Sequence, residues 1–203
     1  MPTPKNKTAE KTTTTEPAKS TKKSSPFKNQ AEFEKELKDF ANKFKTTVVN
    51  QATRISDYFE MNCYNLIVRY YELNKYKVKV QNLQAGQYRY KCSPMGKQSN
   101  FSYFKVEIES KEINYVFEIQ HNLAVQSSQD PLLFTTPDIS VIKEGSVKYR
   151  TDYYDTKTNF SYVENNDLMT FFEVKQFTPF PELLFNFMGI VNELQHKILS
   201  RVC

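Results

Sequence analysis

The 203-residue chain has 39% hydrophobic and 14% aromatic residues, enough apolar material for one buried core and too little length for two full domains. Its formal charge of +5 resides in the first 28 residues, where seven lysines face Glu10 and Glu16, leaving 21 of 28 basic and 21 of 23 acidic residues in a neutral body. Whole-chain charge therefore identifies no polyanionic partner for that body.

Cys63, Cys92 and Cys203 lack the paired spacing of a zinc or redox motif, and no run of about 18 apolar residues is present to span a bilayer. Reduced thiols and a polar amino terminus lead us to expect an intracellular, cytoplasmic protein without a membrane span. With only four glycines, the chain has no glycine-rich phosphate loop.

Residues 1–26 are Thr, Lys, Ser and Pro with almost no large apolar side chain, and read as a disordered tail ahead of a single domain over 27–203. Its lysines either hold phosphates through counterion release or simply solvate a leader. Over 27–73, Phe33, Leu37, Phe40, Phe44, Val48, Ala52, Ile55, Phe59, Cys63, Leu66 and Tyr70 recur every three or four residues, which predicts a long amphipathic helical segment. The β-branched run Thr46 to Val49 marks a bend within it. Packing on the chain's own sheet is the favoured use of this stripe, and a coiled-coil dimer the alternative.

From 76 to 142 the period becomes two. Short strands are predicted at Tyr76 to Val80 and Tyr88 to Cys92, and a hairpin joins Phe101 to Glu109 with Ile113 to Gln120 through Ser110, Lys111 and Glu112. Ile139 to Ile142 forms a further strand. Residues 143–167 are polar and tyrosine-rich, reading as an insertion loop or small hairpin. The remainder, 168–202, is a strand over Leu168 to Phe177 and an amphipathic helix starting at Pro181, a residue suited to a first helical turn.

Two short motifs carry chemistry. In Phe171-Phe172-Glu173-Val174-Lys175-Gln176, alternation places Glu173 and Lys175 on one face of a strand. Asp138 opens Pro137-Asp138-Ile139-Ser140-Val141-Ile142, so adjacent strands would bring three charged side chains together. A turn cap at Asp138 and a surface ion pair between Glu173 and Lys175 would account for the same residues structurally.

Pro-Asp before a hydrophobic strand, followed by acid-any-Lys on the next, resembles the PD-(D/E)XK nuclease superfamily over about Ile113 to Leu199. The resemblance implies an α+β or α/β, restriction-endonuclease-like fold, with a central mixed sheet flanked by helices. It implies hydrolysis of phosphodiester bonds in nucleic acid, DNA ahead of RNA, with Mg2+, or Mn2+ in its place, as cofactor. Asp138, Glu173 and the Val174 carbonyl would hold the metal, and Lys175 would orient water and stabilise developing charge.

Such families often add a carboxylate from the first helix. Glu60 is the best-placed candidate and Glu72 the alternative, unless either is an exposed helix carboxylate. Glu118 and Gln120 share a strand face from which they could reach metal or substrate, or merely meet solvent. His121 and His196 are too few for a multi-histidine centre. Tyr149, Tyr153, Tyr154 and Tyr162 either stack bases or form an ordinary hairpin. A second functional reading is a catalytically inactive nuclease-like module for binding or oligomerisation, with the long helix as the surface for a homodimer or partner subunit.

Overall fold

The computed structural model describes residues 29–48, 52, 54–109, 114–150, 160–175 and 180–198. The expected tail, the Ser110-Lys111-Glu112 turn, Tyr153, Tyr154 and Cys203 lie outside them, as does the side chain of His196.

Helix α1 spans Gln30–Lys43 and starts at a reciprocal cap: Asn29 Oδ1 accepts the Glu32 N–H at 3.0 Å, and the Glu32 carboxylate accepts the Asn29 N–H at 2.8 Å. Strand β1 (Thr47–Val48) follows, then α2 (Ile55–Leu73). The helical segment is thus divided in two at the β-branched run expected to bend it, with a short strand at the break. Lys45 has φ 55°, outside helical space, and the β-branched pair Thr47–Val48 leaves the helix to pair with Gln87–Tyr88 in parallel.

The remaining strands are β2 (Lys77–Gln81), β3 (Gln87–Tyr88), β4 (Tyr103–Glu109), β5 (Asn114–His121), β6 (Ala124–Gln126), β7 (Phe134–Thr135), β8 (Ile139–Lys143), β9 (Lys148–Arg150), β10 (Phe160–Val163) and β11 (Leu168–Phe172). Helix α3 spans Pro181–Ile198. The protein is therefore α+β. Among the described residues no helix is long and apolar enough to cross a membrane.

Five strands form the main sheet in the order β11-β8-β5-β4-β2, every neighbour antiparallel. The expectation of a mixed central sheet is corrected. Parallel pairing occurs instead between β1 and β3, and between β10 and β6 of a second, four-stranded sheet ordered β7-β6-β10-β9. Within 143–167 the small-hairpin alternative matches the antiparallel pairing of β9 with β10, but the stretch is more than an insertion: Phe160, Ser161 and Val163 are buried, and β10 forms the middle of that second sheet with β6. Nor does a strand cover Tyr90 to Cys92. Tyr90 and Lys91 are nonetheless fully buried.

One face of the main sheet packs on α1 and α2. Phe104, Val106, Phe117, Ile119, Ile139 and Val141 meet Phe33, Leu37, Tyr58, Met61, Tyr64 and Val68. The stripe read from the sequence holds on α1 through Phe33 and Leu37, but α2 turns a different face inward: the expected Ile55, Leu66 and Tyr70 are 44%, 60% and 60% exposed. The Tyr64 hydroxyl donates to the Ile119 carbonyl at 2.5 Å, fixing α2 over β5. Behind the sheet, Leu123, Val125, Ile142, Val163, Leu168 and Leu194 form a second apolar cluster.

Asn122 joins the two sheets. Its φ of 49° turns the chain out of β5 and into β6, a left-handed conformation that asparagine tolerates better than most residues. Its N–H donates to the Asp138 carbonyl at 2.9 Å, and its side chain to the Lys91 carbonyl at 2.8 Å.

Met61 is 1% exposed in the middle of the α2 contact with the sheet. Met61→Ala is expected to destabilise the protein by about 2–5 kcal/mol, from lost apolar transfer plus the cavity left behind. Chemical denaturation monitored by circular dichroism measures this; a loss below about 1 kcal/mol would show that the α2 interface collapses around the gap.

Candidate active site

The β11 to β8 ladder ends at Phe172 opposite Ile139. Glu173, Val174 and Lys175 lie just past this strand, which stops five residues short of the expected Phe177. Order continues through a side-chain bond: the Val174 N–H donates to Asp138 Oδ2 at 2.6 Å. Val174 packs into the main core, which turns its two charged neighbours toward Asp138 at the entrance of β8.

Lys175 Nζ lies 3.0 Å from Glu173 Oε2 and 3.6 Å from Asp138 Oδ2. The two carboxylates are close enough to share a hydrogen bond with each other. Their side chains are only 10% and 13% exposed, against 45% for Lys175, so two anions sit in a shallow recess beneath a solvent-facing cation. Burial and the charge of Asp138 raise the Glu173 carboxyl pKa, with Lys175 opposing. Burial works against the Lys175 charge, but its bond to Glu173 and the field of both carboxylates outweigh this and raise its pKa.

Glu60 joins from α2. Burial, Asp138 and then Asp57 push its carboxyl up to about 7, while a bond from the Asn122 side chain and the charge of Lys175 oppose the rise. Asp57 is itself buried and accepts the Arg54 backbone N–H at 3.0 Å and the Arg54 guanidinium at 2.9 Å, closing the first turn of α2. All four expected charged residues, Asp138, Glu173, Lys175 and Glu60, therefore share one electrostatic neighbourhood. Glu72 does not: it accepts from Lys43 at 2.6 Å at the far end of α2.

His121 Nε2 comes within 3.9 Å of Glu60 Oε2. This is not an ion pair, because burial and the nearby Lys91 charge push the imidazole down to about 3, leaving it neutral near pH 7. Neither ring nitrogen has a hydrogen-bond partner. Tyr64 and Tyr90 border the ring, with centroids at 5.4 and 6.2 Å.

Glu118 and Gln120 take no part in this cluster. They point to the other face of β5, where Gln120 Nε2 donates to Glu118 at 2.7 Å and Glu118 accepts the Gly145 N–H at 3.0 Å. Gln98 bridges Gln120 to Lys91, giving Nζ 2.9 Å to Gln98 Oε1. A cavity of about 270 Å³ lies against this network and is lined by Glu118, Gln120 and the exposed Tyr149. Another, of about 710 Å³, opens between α1 and α2 beside Phe40, Cys63, Leu66 and Arg69, and is lined by none of the four charged residues.

Among the described residues no set of three His, Cys, Asp or Glu side chains makes a ready cage for a metal ion. A caged ion is not the only fit. Mg2+ keeps several waters and commonly takes one or two carboxylates with substrate phosphate oxygens completing an octahedron. Asp138 and Glu173, crowded enough to raise the Glu173 pKa and bridged by an ammonium, form a hard-oxygen pair suited to a small divalent cation.

Sequence reasoning missed Asn122 and Asp57. The signal for Asn122 was its position directly after an alternating strand, where asparagine marks a change of direction. Asp57 occupies the third position of a helix, where an acid satisfies free N–H groups. Comparison of the chain with protein-family models, with curated proteins and with solved structures gives no match.

The elevated Glu60 pKa has a signed consequence. Between about 4.5 and 7 the folded protein holds this proton while the unfolded chain has released it, so this group's contribution to stability declines as pH rises through that window. Glu60→Gln is expected to melt higher than the parent above pH 7, with the difference shrinking as pH falls toward 4.5. Paired thermal melts across pH 4.5–8 test this; a pH-independent difference would show that Glu60 titrates normally.

Proposed function

We propose that the chain is a metal-dependent nuclease of the PD-(D/E)XK type, hydrolysing phosphodiester bonds in nucleic acid. The observation that carries this reading is the convergence of Asp138 with the Glu173 and Lys175 pair, 35 and 37 residues further along the chain, onto one recess. The antiparallel run β5-β8-β11, preceded by α2 and followed by α3, supports a restriction-endonuclease-like core. The preference for DNA over RNA follows from the resemblance.

Asp138, Glu173 and the Val174 carbonyl are the groups that would hold Mg2+ or Mn2+, which when bound supplies Lewis acidity toward the scissile phosphate. The chain's own contributions are distinct. Lys175 remains protonated and exposed enough to meet substrate, where its ammonium orients an attacking water and offsets negative charge gathering on the phosphoryl oxygens. The Val174 N–H holds Asp138 in one orientation, with its carboxylate beside Lys175. Glu60 extends the negative field toward α2 and is steadied by Asn122.

Incubating the purified chain with double-stranded DNA, single-stranded DNA and RNA, each with Mg2+, Mn2+ or chelator, tests the proposal. Cleavage of at least one substrate that chelator abolishes is expected. Lys175→Ala should lower the cleavage rate roughly a hundredfold or more, a barrier increase of about 2.7 kcal/mol, with little change in substrate affinity. Asp138→Ala should instead weaken metal binding, so that added metal partly restores its activity. Metal-independent binding of nucleic acid without any cleavage would favour the module without catalysis, and near-normal cleavage by folded Lys175→Ala would remove that residue from the mechanism.

A further inference from the structure

Helix α3 is held by one side only. Leu194 is fully buried and Ile190 packs beside it in the second apolar cluster, and Glu193 accepts from the Ser127 hydroxyl and, through its carbonyl, from the Ser128 N–H. Among the described residues the opposite side has no such cover. At helical spacing Leu184, Phe185 and Met188 project away from Leu183, Ile190 and Leu194, and they are 62%, 73% and 53% exposed.

Gly189 adds an independent observation. It interrupts the helix one turn after Phe185, and a Cβ placed there would meet nothing within 4 Å. The chain's own packing therefore does not require a glycine, although glycine is among the poorest residues for a helix interior. An exposed phenylalanine and an adjacent notch four residues along are self-complementary. Under a two-fold axis crossing two antiparallel α3 helices, each Phe185 seats over the Gly189 of the other copy, as residue i meeting j while j meets i.

Area and charge favour the same occupant. With roughly 200 Å² for each large side chain, Leu184, Phe185 and Met188 present roughly 380 Å² of apolar surface per copy, whereas Phe187 turns back onto Phe171. That is nearly half of the roughly 800 Å² each partner buries in a standard interface, the remainder falling to polar neighbours such as Asn192. Glu182 is the sole charged residue from Pro181 to Asn192, so two copies of this face meet without strong repulsion.

We infer that the exposed side of α3 is a homodimer interface in which Phe185 of each copy packs over Gly189 of the other. This places the partner surface at the carboxy-terminal helix, on the side away from Leu194.

Sedimentation equilibrium of the full chain over a range of concentrations tests the inference without reference to any enzymatic activity. A concentration-dependent rise to twice the chain mass is expected. Phe185→Asp and Gly189→Leu should each raise the dissociation constant at least tenfold, the first by burying a charge and the second by filling the notch. Gly189→Leu should not lower the melting point of the separated monomer, since leucine is the better helix former. Leu66→Asp, on the exposed side of α2, should leave the dimer intact.

A monomer at every concentration overturns the inference, including one that instead sediments with phosphatidylcholine or phosphatidylserine vesicles. So does a dimer that Phe185→Asp and Gly189→Leu leave unchanged, one that Gly189→Leu tightens, or one that only Leu66→Asp dissolves.

Discussion

The hydrogen bond from the Val174 N–H to Asp138 Oδ2 is the contact on which the charged recess depends. Regular pairing between β11 and β8 has already ended, and without this bond the acid-any-Lys segment would have no fixed relation to the strand it follows. The same carboxylate oxygen that sets the backbone lies 3.6 Å from Lys175 Nζ. Burial of Val174 in the core supplies the second restraint, because it dictates which way Glu173 and Lys175 turn. Position here comes from a backbone donor and an apolar anchor, and charge is arranged around them.

The sheet supplies the platform. β5 is covered on both faces, with Phe117 and Ile119 under the helices and Glu118 and Gln120 in a buried polar chain that ends at Lys91. A fully buried lysine bonded to a neutral amide is costly to charge, and burial pushes its pKa down to about 8. His121, at the end of the same strand, is likewise driven by burial away from its charged form and stays neutral. The strand thus separates a neutral, aromatic-lined wall beside Glu60 from a polar seam behind the sheet.

Much of this was legible in the sequence where the signal was local. Val78 and Val80, Phe104 and Val106, and Phe117 and Ile119 alternate as half-buried strands should, and their faces are those observed. Asp138, Glu173 and Lys175 stood out because each ends or begins an apolar run. The second sheet was not legible, since β6, β7 and β10 are two to four residues long and Tyr162 pairs with Ala124 from 38 residues away. Alternation cannot be measured over three residues, nor does it announce a distant parallel partner. The polar seam was missed for a different reason: the alternation of Glu118 and Gln120 points only to metal, substrate or solvent, and their burial with Lys91 and Gln98 follows from strands and loops distant in sequence. Likewise, the helical period continued across Phe44 to Ala52, but a β-branched pair and a left-handed lysine redirected the backbone.

The wide spacing of Glu60, Asp138 and Glu173 along the chain also bears on the timing of synthesis. The strand that delivers the last of them, β11, is the final strand among the described residues and joins the sheet at its edge, beside β8. A growing chain has no complete recess until Lys175 has been made and β11 has docked, and an intermediate with an unpaired β8 edge carries Glu60 and Asp138 without an ordered Glu173 or Lys175 beside them. The charged cluster is therefore the last part of this sheet to come into being.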